Sequence, residues 1–129
     1  MADFLDRDAT DQLAALRSGD ISARELLLAA VERAERTADV NAVVSRDVER
    51  ALREAKLVDE KRARGDEVGM LAGLPMTVKD TLDVEGLPGS AGLKTLLNRK
   101  AVDACVVERV RKAGARECPI FCVSGPLGQ

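Results

Sequence analysis

Leu74, Met76 and Val78 alternate with Pro75, Thr77 and Lys79, and a loop carrying Gly86, Pro88, Gly89 and Gly92 follows at once. A period of two puts alternate side chains on opposite faces of a strand. Pro75 is tolerable near the strand start, where a missing N–H costs least, and the glycines and prolines mark a long irregular loop. Val106, Val107, Val110 and Ala113 then share one helical face, with Asp103 as the expected cap and Gly114 as the stop. Residues 116–123 read as a further possible strand. Strand, loop, helix, strand is a β-α-β order, which implies a parallel or mixed sheet covered by helices. The expected fold class is α/β, with helices packed on a small mixed sheet.

The first half of the chain supplies the covering helices. A short helix is expected over 10–18, stopped by Gly19. Ser22-Ala23-Arg24-Glu25 is a capping box: the serine hydroxyl accepts from the first turn and the glutamate reaches back to the cap. Leu27, Ala30, Val31 and Ala34 then form an apolar stripe. Residues 41–45 read as a short buried strand, and Asp47 caps a helix running to Arg64, with Val48, Ala51, Leu52, Ala55 and Val58 inward and Gly65 as its end. The charged residues of these helices are expected to lie on solvated faces.

Composition removes several kinds of chemistry. At 129 residues the length is that of one domain, and 46% hydrophobic with 33% charged residues is ordinary for a globular protein. The absence of histidine excludes Ser-His-Asp and Cys-His catalysis within this chain, and every His-containing metal site. Phe4 and Phe121 are the only aromatic residues and the net charge is −2, so neither stacking platforms nor a basic surface argues for nucleic acid. Cys105, Cys118 and Cys122 are an odd set, expected to be free thiols, and they make a poor zinc site without histidine. No leader peptide, membrane span or membrane-binding block is legible, so a cytoplasmic location is expected.

Acid–base chemistry must therefore fall to Lys, Asp, Glu or Cys. Lys79 is the residue best placed for it, at the strand end where the glycine-rich loop begins. Burial against apolar neighbours would disfavour its ammonium form and turn it into a proton acceptor. Taken without further context, Lys79 and Asp80 would instead be a surface ion pair, and Ser90 a turn hydroxyl satisfying backbone N–H groups.

Gly73-Leu-Pro-Met-Thr-Val-Lys-Asp80, followed by Asp83-Val-Glu-Gly86 and Ser90-Ala-Gly92, resembles the N-terminal core of the amidase signature family. Gly19 to Leu26, Asn41 to Val44 and Asp103 to Ala115 are similar to other ordered segments of that family, so the resemblance covers 10–115. The A subunit of glutamyl-tRNA amidotransferase belongs to the same family and shares these segments. The resemblance implies the N-terminal portion of an α/β/α fold with an incomplete core. It implies hydrolysis of a carbon–nitrogen amide bond by serine acyl transfer, with a Ser–cis-Ser–Lys triad and no cofactor. Lys79 would be the triad lysine and general base. Asp80, Ser90 and Gly92 would belong to the active-site loop, Asp80 as a structural partner and Ser90 as a polar lining group.

After Ala115 the resemblance stops. The family continues with Gly-Lys-Thr/Ser-Asn and later a glycine-rich serine segment, whereas residues 116–129 form a divergent tail with Cys118 and Cys122 and a Gly/Pro-rich end. The expectation is one partial domain over 1–129: a truncated form that binds a small-molecule amide only in the complete enzyme and is inactive alone. Apolar faces left open would favour self-association or a complementing amidase fragment. The alternatives are a non-catalytic interaction module and a fragment of the A chain of a tRNA-dependent amidotransferase.

Overall fold

The structure is a computed structural model and describes residues 3–114 and 120–123. Helix α1 spans Ala9–Ser18, α2 spans Ala23–Arg36, α3 spans Val48–Arg64 and α4 spans Cys105–Ala113. Strands β1 (Val43–Ser45), β2 (Met76–Lys79) and β3 (Ile120–Val123) form one mixed sheet in the order β1-β3-β2. The β-α-β reading holds: β2 and β3 run parallel with Lys79 opposite Val123, and β1 joins the other side of β3 antiparallel. Residues 116–119, the start of the expected last strand, lie outside the described residues.

The helix ends follow their sequence signals. Gly19 and Gly65 adopt left-handed φ values of 81° and 75°, which stop α1 and α3. Both hydrogen bonds of the Ser22–Glu25 capping box form, and Asp47 accepts from the Arg50 N–H to cap α3. The core lies among the first three helices: Leu16, Leu26, Leu27, Ala55 and Val58 are fully buried, with Leu13, Ile21, Val31, Ala51, Ala72 and Leu74 around them. A smaller cluster of Val84, Leu87 and Val107 packs with Met76 and Val78 of β2.

Four expectations need correction. The strand expected over 41–45 is shorter and is not buried. Asn41 ends a 3-10 turn in a left-handed conformation, and Val43–Ser45 are only half covered. Asp103 does not cap α4, whose cap is Ala104 without a side-chain bond. The inward face of α4 carries Val107 and Arg111, while Val106 is 49% exposed. Finally, the charged residues of α3 are not all solvated. The Asp59 carboxylate accepts the N–H groups of Ala23 at 2.8 Å and Arg24 at 3.1 Å, capping α2 from outside. Arg62 donates to the Ala72 carbonyl at 2.9 Å, and burial depresses its guanidinium below the usual arginine range.

Gly73 shows why the turn before β2 can press onto α2. Its φ is +84°, and a Cβ there would lie 2.9 Å from the Ala23 Cβ. Glycine alone meets both conditions without strain.

Candidate active site

Lys79 closes β2, and its carbonyl accepts the Leu82 N–H at 2.9 Å, turning the chain sharply at the strand end. Its side chain is exposed, in line with the alternating pattern of β2. The expected apolar burial of this lysine is therefore not present among the described residues, because Thr77 and Lys79 share the open face of an edge strand.

The expected surface pair of Lys79 with Asp80 does not form either. Asp80 turns inward and is only 3% exposed. Its Oδ2 accepts the Ser90 hydroxyl at 2.9 Å, and its Oδ1 is buried with no hydrogen-bond partner. Ser90, 6% exposed, also accepts the Gly92 N–H through Oγ at 3.4 Å. The turn-hydroxyl reading of Ser90 is thus correct as far as it goes; its donor bond to Asp80 adds a buried link across ten residues. Ala91 and Gly92 follow with φ values of 49° and 81°. Left-handed backbone costs an alanine about 1–2 kcal/mol, so this corner carries strain.

A second tie holds the same loop at the surface. Both terminal guanidinium nitrogens of Arg99 donate to the Asp83 carboxylate, Nη1 at 2.9 Å, and Nη1 also donates to the Gly89 carbonyl at 3.1 Å. The Asp83 carboxylate raises the Arg99 guanidinium above its ordinary value. Gly89 leaves room for this pair, since a Cβ there would fall 2.3 Å from Asp83 Oδ1 and displace the carboxylate. The Ala104 N–H donates to the Asp83 carbonyl at 2.9 Å, bringing the start of α4 against the end of β2.

A charged network that the sequence reading missed anchors the loop to α3. Arg111 lies 2.8 Å from Asp103 and 3.5 Å from Glu54. The Arg111 Nε contact with Asp103 is one of charge and not an aligned hydrogen bond. Glu54 also takes Arg50 at 3.1 Å. Arg50 reaches the Glu85 carbonyl at 2.6 Å, and Asp103 accepts the Glu85 N–H at 2.8 Å. Burial pushes the Glu54 carboxyl up, against the opposing pull of Arg111 and Arg50. One signal was present in the sequence: Arg111 follows Val107 by four residues and so shares its buried face.

The resulting frame presents one lysine at a strand end, beside a loop held by the Asp80–Ser90 and Asp83–Arg99 ties. Lys79 shares the open face of β2 with the exposed Thr77, and Ser18, Ser22 and Ser90 are already engaged. Ser18 donates to the Ala15 carbonyl, Ser22 caps α2, and Ser90 is bound to Asp80.

The model of the Amidase family matches residues 25–118. The chain belongs to the amidase family. It is 41% identical over 111 residues to the A subunit of glutamyl-tRNA(Gln) amidotransferase from Chromohalobacter salexigens, covering 84% of this chain and 23% of that protein. It is likewise 41% identical over 109 residues to the indoleacetamide hydrolase of Bradyrhizobium diazoefficiens, covering 83% of this chain and 21% of that one. Among solved structures, the peptide amidase of Stenotrophomonas maltophilia superposes with a TM-score of 0.83 at 27% identity, over 92% of this chain and 24% of that one. A bacterial aryl acylamidase of the amidase signature family, at 23% identity, shares the fold with a TM-score of 0.84. The chain spans about a quarter of the length of the proteins it matches. What it contains is a portion of an amidase-family α/β fold.

Proposed function

We propose that this chain supplies the lysine-bearing part of an amidase active site. Lys79 is the general base: it takes a proton, through a bridging serine, from the serine that attacks the amide carbonyl. The amine leaves with a proton, and water then releases the acyl group from the serine. Asp80, Ser90 and Gly92 form the loop beside that lysine. The observation that carries this reading is the placement of Lys79, exposed at the end of an edge strand, in a chain that belongs to the amidase family. An open lysine fits a site whose hydroxyls come from polypeptide outside these 129 residues. Contact with that polypeptide would bury the side chain and disfavour its ammonium form.

The substrate class is a small carboxamide, the kind of molecule named for the Bradyrhizobium relative; the tRNA-dependent amidotransferase is the alternative parentage. The 129 residues form one partial domain, working in the cytoplasm with Cys105 as an exposed free thiol. Among the described residues no helix is long and apolar enough to cross a membrane.

The test is reconstitution. The chain is mixed with the part of the Bradyrhizobium indoleacetamide hydrolase that lies outside the shared segment, and ammonia release from indole-3-acetamide is followed. The chain alone is expected to release none and the mixture to be active. Lys79→Ala should lower that activity about 100- to 10,000-fold, the usual worth of a positioned acid or base. Equal turnover by the Lys79→Ala mixture would sink the general-base reading. A second reading, a non-catalytic interaction module, draws on the exposed Met70, Leu93, Leu97 and Val102. A chain that self-associates while its mixture stays inactive favours that module.

A further inference from the structure

The Asp80 carboxylate is an anomaly in the loop. It is buried, yet among the described residues the Ser90 hydroxyl is its one hydrogen-bond donor, and its other oxygen has none. A carboxylate taken from water depends heavily on each donor that remains. Water cannot replace Ser90 without opening the packing, since both residues are covered. Ser90 in turn opens the strained corner: Ala91 and Gly92 are left-handed, Gly92 donates to Ser90 Oγ, and Leu93 donates to the Ser90 carbonyl at 2.8 Å. The side chain held inside and the side chain aimed outside belong to adjacent residues. Fixing Asp80 therefore fixes the peptide from which Lys79 projects.

We propose that Asp80 and Ser90 are positioning residues for Lys79: their buried hydrogen bond clamps the 90–93 corner behind the strand end and sets the direction in which the lysine leaves the fold. The proposal deepens the amidase reading and rests on Lys79 being its base. Ser90 then is neither nucleophile nor lining group, because it is buried and its hydroxyl is held between Asp80 and the Gly92 N–H. Strain at Ala91 gives the clamp something to hold, since a free loop would relax out of the left-handed region.

The chain as it stands is sufficient for the test. Amide hydrogen exchange is measured by NMR on the 15N-labelled chain, and the pH profile of Lys79 acylation by acetic anhydride is measured by mass spectrometry. Ser90→Ala is expected to speed exchange at Gly92 and Leu93 at least ten-fold and to displace the Lys79 acylation profile, with exchange in α2 unchanged. Ser90→Cys, a weaker donor of similar shape, should fall between the two, and it carries the test should Ser90→Ala fail to fold. Unchanged exchange at Gly92 and Leu93, or an unchanged Lys79 profile, in either folded variant would overturn the proposal. The reconstitution with Lys79→Ala judges the base separately. If turnover survives there while the Ser90 variants behave as expected, the general-base reading falls and the clamp remains. If turnover is lost there while the Ser90 variants change nothing, the clamp alone falls.

Discussion

Asp59 caps a helix to which it does not belong: from α3 its carboxylate accepts the first N–H groups of α2, with Ala23 at 2.8 Å. The positive end of α2 and its orphan donors are thereby satisfied from 36 residues away. Asp59→Ala should cost about 1–2 kcal/mol, the upper range for loss of a cap. Asp59→Asn, which keeps an acceptor, should cost less. Urea unfolding at constant slope reads both, and equal stability of Asp59→Ala and the parent would remove the cap from the account.

Gly73 and Ala23 meet at a distance that leaves no room for a methyl group. Gly73→Ala should cost about 2–4 kcal/mol, combining the left-handed penalty with overpacking. Adding Ala23→Gly should return the overpacking share, so the double variant loses less than the two single losses summed. Strict additivity in that cycle would show that the contact carries no energy.

Glu54 gives a pH dependence of definite sign. Its carboxyl is raised by burial, so the folded state binds its proton more tightly than the unfolded state. Its contribution to stability is full below the unfolded pKa and is lost as pH rises through the higher folded value. Glu54→Gln lacks this loss. Stability of Glu54→Gln relative to the parent should therefore improve as pH climbs out of the acid range toward neutrality. A relative stability that declines over the same climb would contradict the burial argument.

Lys79→Ala should leave the isolated chain within about 0.5 kcal/mol of its parent stability, as expected for an exposed side chain outside the core. A larger loss in thermal unfolding would mean that the lysine is packed in the free chain after all. The contrast between a neutral effect on stability and a large effect on reconstituted turnover is what separates a reacting group from a structural one.

The helical half was legible because its signals are local. Gly19, Gly65 and the Ser22–Glu25 box act within a few residues, and the α3 stripe of Val48, Ala51, Leu52, Ala55 and Val58 repeats at helical spacing. What escaped the sequence was the set of charges that fold inward. Glu54, Asp59 and Arg111 look like solvated residues until their partners are known, and Asp80, expected as a structural partner in the loop, carried no mark of which residue it would hold. Those partners lie in the α2 first turn, the loop corner and α4, and no periodicity reports them. Asp103 looked like a cap because it precedes a helix, but its carboxylate is taken by Arg111 and the Glu85 N–H instead of the helix end. The strand at 43–45 was overextended because an apolar run carries no mark of how few neighbours it has. Lys79 does close the strand as expected, but it is exposed, since burial depends on what lies across an edge strand.

The sheet order also fixes a sequence of events. Among the described residues β3 is the middle strand in space and the last in sequence, so β1 and β2 gain the partner seen here only once residues 120–123 have been made. The buried residues of the helical core lie between Leu13 and Leu74. On the ribosome, α1, α2 and α3 can close around their own leucines while the strand that ends in Lys79 still waits. Contacts spanning more than seventy residues, such as Val43 with Val123, are slow to find. The helices of this chain can thus be finished work before the sheet that presents its lysine has begun.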